Sequence, residues 1–142
     1  VRELDELARL TAWDRSAMHQ VPVRQDEGPG NILLATLQYE HVTELFSSLG
    51  AHGLTSETVA RRLCQDLRDY QKKPDAAVDA HLADQLVLLL ALAVWQSGER
   101  AAFSCSEVTQ HLRSNIAVIE RFLPLRIRVE TASAPVVRIA AL

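Results

Sequence analysis

The amino-acid sequence predicts an α+β chain, an α/β sandwich whose elements run α-β-β-α, a boundary, then α-β-α-β-β. Three observations carry this prediction. Four segments repeat apolar residues at helical spacing, five short runs are rich in β-formers, and Lys72-Lys73-Pro74-Asp75 interrupts the pattern midway.

Leu4, Leu7, Ala8 and Leu10 recur on one helical face, so an opening helix is expected from about Arg2 to Trp13. A polar stretch ends in Asp26-Glu27-Gly28-Pro29-Gly30-Asn31, which reads as a turn: the glycines permit positive φ and Pro29 fixes its own. The runs ILLATLQYE and VTELFSSLG follow, separated by a polar junction at Glu40 and His41, and predict an antiparallel hairpin. Thr55, Ser56 and Glu57 open a helix to about Tyr70, with Val59, Leu63, Leu67 and Tyr70 as its apolar stripe. Pro74 and its neighbours end that helix and divide the chain into residues 1–76 and 77–142.

The second part opens on a helix from about Val78 to Trp95. From Leu86 onward it is apolar on every face, so burial on more than one side is expected. Ala101–Ser104 reads as a short strand. Ser104-x-x-Glu107 has capping-box spacing and is expected to open a helix that runs to Leu123. After Pro124, LRIRVE and PVVRIAAL read as two closing strands. Neither half carries an obviously complete sheet, so the chain reads as the tail of a longer protein.

Composition narrows the function classes. With 48% hydrophobic and 23% charged residues a packed core is expected, and disorder is not. The 5% aromatic content argues against a base-stacking platform, and the net charge of −3 gives no general attraction for nucleic acid. Cys64 and Cys105 are far apart and form no CxxC pair, so they read as reduced, buried thiols of a cytoplasmic protein. The longest apolar run, Leu86 to Trp95, is about half the ~20 residues of a membrane span. The charged stretch VRELDELARL lacks the core of a signal peptide. No histidine–cysteine spacing suits zinc, and neither GxGxxG nor GxxxxGK[ST] occurs.

His111 falls at the edge of an apolar arc formed by Val108, Leu112, Ile116, Ile119 and Leu123, one turn before Asn115. A half-shielded imidazole there suits a nucleophile or general base, because its neutral form is available near neutral pH. The plainer reading is a histidine packed at a helix edge. Asp84 and Gln85, just ahead of the apolar run, could hold a base or ribose by directional hydrogen bonds. The plainer reading there is an acidic residue favoured by a helix dipole. Arg113, Arg121, Arg126 and Arg128 make the last third locally basic, with Glu107, Glu120 and Glu130 offsetting most of it as a solvated face.

Three ordered segments carry a resemblance: HLRSNIAVIERFLPLRI from His111, VDAHLADQLVLLLALA from Val78, and GPGN from Gly28 followed by an extended pair and a helix. Together they resemble the C-terminal portion of the RNA 3′-terminal phosphate cyclase family. The resemblance implies that residues 1–76 form the latter part of a small inserted domain with thioredoxin-like topology. Residues 77–142 would then form the end of a βαβαββ repeat of the catalytic domain. It also implies ATP and Mg²⁺ (or Mn²⁺) as cofactors, RNA 3′-phosphate ends as substrate, and His111 as the residue that becomes covalently linked to AMP. Asp84, Gln85 and His81 are implied as nucleotide contacts.

The sequence departs from the family pattern at several points. His81 stands where the bacterial motif often has a tyrosine, Ser114 where H-x-x-T-N has threonine, and Leu89 where the helix often has a proline, so a straighter helix is expected. The family's N-terminal glycine-rich segment and phosphate-binding arginines are not in this sequence, so a missing N-terminal part is an expected partner and the chain alone is expected to be inactive. The alternatives are a non-catalytic cyclase-like protein of ribosome biogenesis, a branch that lacks the histidine, and a truncated interaction module.

Overall fold

The computed structural model describes residues 2–22, 24 and 30–142, and the chain divides into two compact units, Val1–Asp69 and Tyr70–Leu142. The expected turn over residues 26–31 lies largely outside the described residues.

In the first unit, α1 spans Arg2–Thr11, β1 Ile32–Gln38, β2 Thr43–Leu49 and α2 Ser56–Gln71. The two strands pair antiparallel from Ile32↔Leu49 to Gln38↔Thr43, and Gly50 N–H donates to Asn31 O at 2.9 Å to close the open end. A Cβ on Gly50 would lie 1.5 Å from the Asn31 side-chain oxygen, so any larger residue there must displace the Asn31 side chain. Strand alternation buries Leu33, Ala35, Glu44, Phe46 and Ser48 and leaves Ile32, Leu34, Leu45 and Leu49 exposed. Leu7 of α1 and Val59, Ala60, Leu63, Cys64 and Leu67 of α2 supply the rest of the unit's buried apolar residues. Glu3 ties α1 to both neighbours, accepting from Ser56 Oγ at 2.8 Å and from Asn31 Nδ2 at 3.0 Å.

In the second unit, α3 spans Ala80–Ser97, β3 Ala101–Ser104, α4 Gln110–Phe122, β4 Leu125–Glu130 and β5 Val136–Ala141. The strands form an antiparallel sheet in the order β3-β5-β4. Both helices pack against the face that carries Phe103, Leu125, Ile127, Val137 and Ile139, all buried. Asp79 caps α3 by accepting from Leu82 N–H at 2.6 Å, and Gly98 ends it in the left-handed region at φ 74°. Val78 precedes the helix and forms a parallel bridge with Cys105.

Two expectations are corrected here. The Ser104-x-x-Glu107 spacing opens no helix: Ser104 ends β3, where its hydroxyl donates to Asp75 O at 2.8 Å and accepts from Ala77 N–H at 3.0 Å. Thr109 is the true cap, accepting from Leu112 N–H at 2.9 Å, so α4 starts later than expected. The second correction concerns α3, which is buried along one stripe only: Ala83, Val87, Ala91 and Val94. Leu88, Leu89, Leu92 and Trp95 are exposed. The helix runs unbroken through Leu89, and with 18 residues and mean hydropathy 1.3 it is long and apolar enough to cross a membrane by length and composition. Its buried stripe packs against α4 and the sheet.

Candidate functional site

Three of the four sequence-predicted site residues stand on the first two turns of α3. His81, Asp84 and Gln85 are spaced i, i+3 and i+4, which places them on one face of that helix. His81 and Gln85 are exposed, and Asp84 is half-buried. The fourth, His111, is the second residue of α4, in the turn where backbone N–H groups lack intrahelical acceptors and the helix dipole is positive.

Side-chain hydrogen bonds bring the two helices together at this point. Thr109 Oγ1 donates to Asp84 Oδ1 at 2.6 Å, and Asn115 Nδ2 donates to the Asp84 carbonyl oxygen at 3.0 Å. Asp84 thus holds the residue that caps α4 and a residue in the second turn of that helix. His111 lies between those two anchors in sequence, and Asn115 follows it at i+4 on the same helical face. The His111 ring itself is exposed, rather than half-shielded, and makes no hydrogen bond to His81, Asp84 or Gln85. The late start of α4 explains this: His111 sits at the open end of the helix, not within its length.

Asp84 also has a structural task that sequence spacing did not reveal. It is in the second turn of α3, too far along to serve that helix's own N-terminus. Its carboxylate instead orients the Thr109 hydroxyl, which in turn holds Leu112 N–H. Thr109 itself was missed, because Ser104 and Glu107 offered a stronger capping signal nearby. A single threonine three residues ahead of the buried Leu112 was the signal available.

Cys105 lies nearby in the same unit, at the end of β3. Burial pushes its thiol pKa up, and its Sγ sits 3.7 Å from Pro135 O, so it is an unreactive core group. Both cysteines are free and buried, as expected. Among the described residues, no three histidine, cysteine, aspartate or glutamate side chains gather to hold a metal ion.

Comparison with known proteins supplies the context for this geometry. The sequence profile of the family described as RNA 3′-terminal phosphate cyclase matches residues 5–129. The RNA 3′-terminal phosphate cyclase of Salmonella enteritidis is 48% identical over 114 residues, covering 80% of this chain and 32% of the relative. That of Salmonella typhimurium is 47% identical over 137 residues, covering 95% of this chain and 39% of the relative. The Ectopseudomonas mendocina protein of the same name is 38% identical over 138 residues, or 97% of this chain and 39% of the relative. The chain therefore spans about a third of the length of the curated relatives it matches. The α+β architecture, the ordered segments around Asp84 and His111, and these matches agree: the chain belongs to the RNA 3′-terminal phosphate cyclase family.

Proposed function

We propose that this chain supplies the C-terminal part of an ATP-dependent RNA 3′-terminal phosphate cyclase, with His111 as its nucleophile. The observation that carries the reading is the tie between Asp84 and the cap and second turn of α4, which joins the two motif segments. Asp84, Gln85 and His81 on the adjoining face of α3 are the nucleotide contacts in this reading. A helix N-terminus favours phosphate, which suits the position of His111.

The chemistry asks little more of these residues. A neutral imidazole nitrogen of His111 attacks the α-phosphorus of ATP, a P–N bond forms, the bond to the bridging oxygen breaks, and pyrophosphate leaves. The RNA 3′-phosphate then displaces the histidine from AMP, and the neighbouring 2′-hydroxyl closes a 2′,3′-cyclic phosphate with release of AMP. Each step expels a good leaving group: pyrophosphate, then the histidine imidazole, then AMP. Mg²⁺ or Mn²⁺ would supply charge neutralisation for the phosphates, and no step is assigned to it.

Residues 1–76 as the latter part of the insert, residues 77–142 as the end of the catalytic domain, and a cytoplasmic, non-membrane setting belong to the same proposal. So does the remainder of the enzyme as partner. The exposed Leu88, Leu89, Leu92 and Trp95 on α3 give that partner an apolar surface to cover. The test is a transfer experiment with the chain reassembled with an N-terminal segment of a related cyclase. AMP should pass from protein to RNA ending in a 3′-phosphate and not to RNA ending in a 3′-hydroxyl. Equal transfer to both ends would reject the assignment.

A further inference from the structure

The sheet of the second unit has two unlike faces. One is covered by α3 and α4. The other carries, in register across the strands, Ala102, Arg138 and Arg128, with Arg126 opposite Ala140 and Glu130 opposite Val136. Ala102, Arg126, Arg128, Glu130, Arg138 and Ala140, together with Arg100 just before β3, line a hollow of about 480 Å³. The small side chains of Ala102 and Ala140 leave its floor low, and the arginines rise around it.

The charges in this hollow do not cancel. Arg128 and Arg138 stand directly opposite on neighbouring strands, an arrangement that destabilises a sheet unless an anion intervenes. Glu130 relieves only one of them, pairing with Arg138 at 2.8 Å. The other two acidic residues expected to offset this region do not reach it. Glu120 accepts from Ile127 N–H at 2.8 Å on the helix side of the sheet, and Glu107 lies in the segment between β3 and α4. Arg100, Arg126 and Arg128 form no ion pair among the described residues. Three uncompensated guanidinium groups thus converge on one concave surface, in a chain whose net charge is −3.

We propose that this hollow is a docking surface for the phosphodiester backbone of single-stranded RNA. The proposal rests on the reading of the chain as part of an RNA-end enzyme, and extends it to the RNA body away from the reacting end. Guanidinium forks match phosphate oxygens. Arg126 and Arg128, two residues apart on one strand, stand roughly 6.6 Å apart along it, a step suited to successive phosphates of an extended strand. The lining holds no aromatic residue, so bases are not stacked and binding is indifferent to sequence.

Salt dependence of binding tests this directly. The probe is a short fluorescent oligouridylate with a 3′-hydroxyl, which offers no phosphate end for the cyclase chemistry, titrated with the full chain by anisotropy. Three phosphate contacts give a slope of about −2.1 in log affinity against log salt, or ~20-fold weaker binding when salt rises fourfold. Arg126→Gln with Arg128→Gln should cut the slope to about −0.7, roughly a threefold loss over the same range. Glu130→Gln releases Arg138 and should steepen it to about −2.8. Arg113→Gln with Arg121→Gln removes the same charge from α4 and should leave it unchanged. An unaltered slope in the Arg126/Arg128 variant, or an equal fall in the Arg113/Arg121 control, would overturn the proposal. Adenylylation reads out His111 alone, so failure of the functional reading and failure of this surface remain separable.

Discussion

Replacing Thr109 by valine removes a hydroxyl that is bonded twice, and the structure sets what this should cost. The hydroxyl accepts from Leu112 N–H at 2.9 Å and donates to Asp84 Oδ1 at 2.6 Å. Losing the cap costs about 1 kcal/mol. Leaving the half-buried Asp84 carboxylate without its donor costs about 1 kcal/mol more, at the low end for charged hydrogen bonds because water reaches it. Thr109→Val should therefore destabilise by about 2 kcal/mol, and Asp84→Ala, which spares the cap, by about 1 kcal/mol. The double variant should lose no more than Thr109→Val, so the two are coupled by about 1 kcal/mol. Urea titration followed by circular dichroism measures all three, with a melting point lower by ~8 °C for Thr109→Val as a second reading. Strict additivity in the double variant would refute the chain of bonds through Asp84, Thr109 and Leu112.

The remaining predictions concern other parts of the chain. Glu3 is held below its usual pKa of 4.5, first by a backbone N–H and then by the Ser56 hydroxyl. A lowered carboxylate stabilises above its ordinary pKa and loses that contribution as pH falls through its lowered value, so acid unfolding should be less steep in Glu3→Gln. Burial raises the thiol pKa values of Cys64 and Cys105, so both should resist a disulfide reagent at neutral pH and react fully in urea; rapid native labelling would contradict their burial. Leu88→Glu with Leu89→Glu alters exposed positions, so stability should change by less than about 0.5 kcal/mol. The same variant should no longer co-sediment with an N-terminal cyclase segment, and undiminished association would show that another surface makes the contact.

Much of this fold was legible because apolar spacing is a local signal. The hairpin of β1 and β2, the stripe of α2 and the closing strands β4 and β5 all follow from period and turn residues. The start of α4 was not, because Ser104 and Glu107 have the spacing of a capping box while Ser104 is claimed by Asp75 and Ala77, residues remote in sequence. The face of α3 was misjudged for a different reason. Leucines on every side predict burial on every side, but this chain matches only 39% of such a relative, and one face of α3 stands exposed among the described residues.

The candidate site was legible in its residues and not in its ties. Asp84 and His111 stood out by type and position, whereas Thr109 and the bonds that join the two helices depend on side-chain geometry across 25 residues of sequence. The arginine hollow was hidden in the same way. Counted along the chain, Glu107, Glu120 and Glu130 balance the arginines, but strand alternation puts Arg126 and Arg128 on one face of the sheet, while Glu120 stands on α4, which packs on the other.

The central claim is that His111 forms the covalent link to AMP, and one labelling experiment addresses it most directly. The chain is incubated with magnesium and ATP labelled at the α-phosphate, alone and mixed with an N-terminal segment of a related cyclase. The account predicts acid-labile label on this chain in the mixture only, and none after His111→Ala. Label that persists after His111→Ala, or its absence from the mixture, would contradict it.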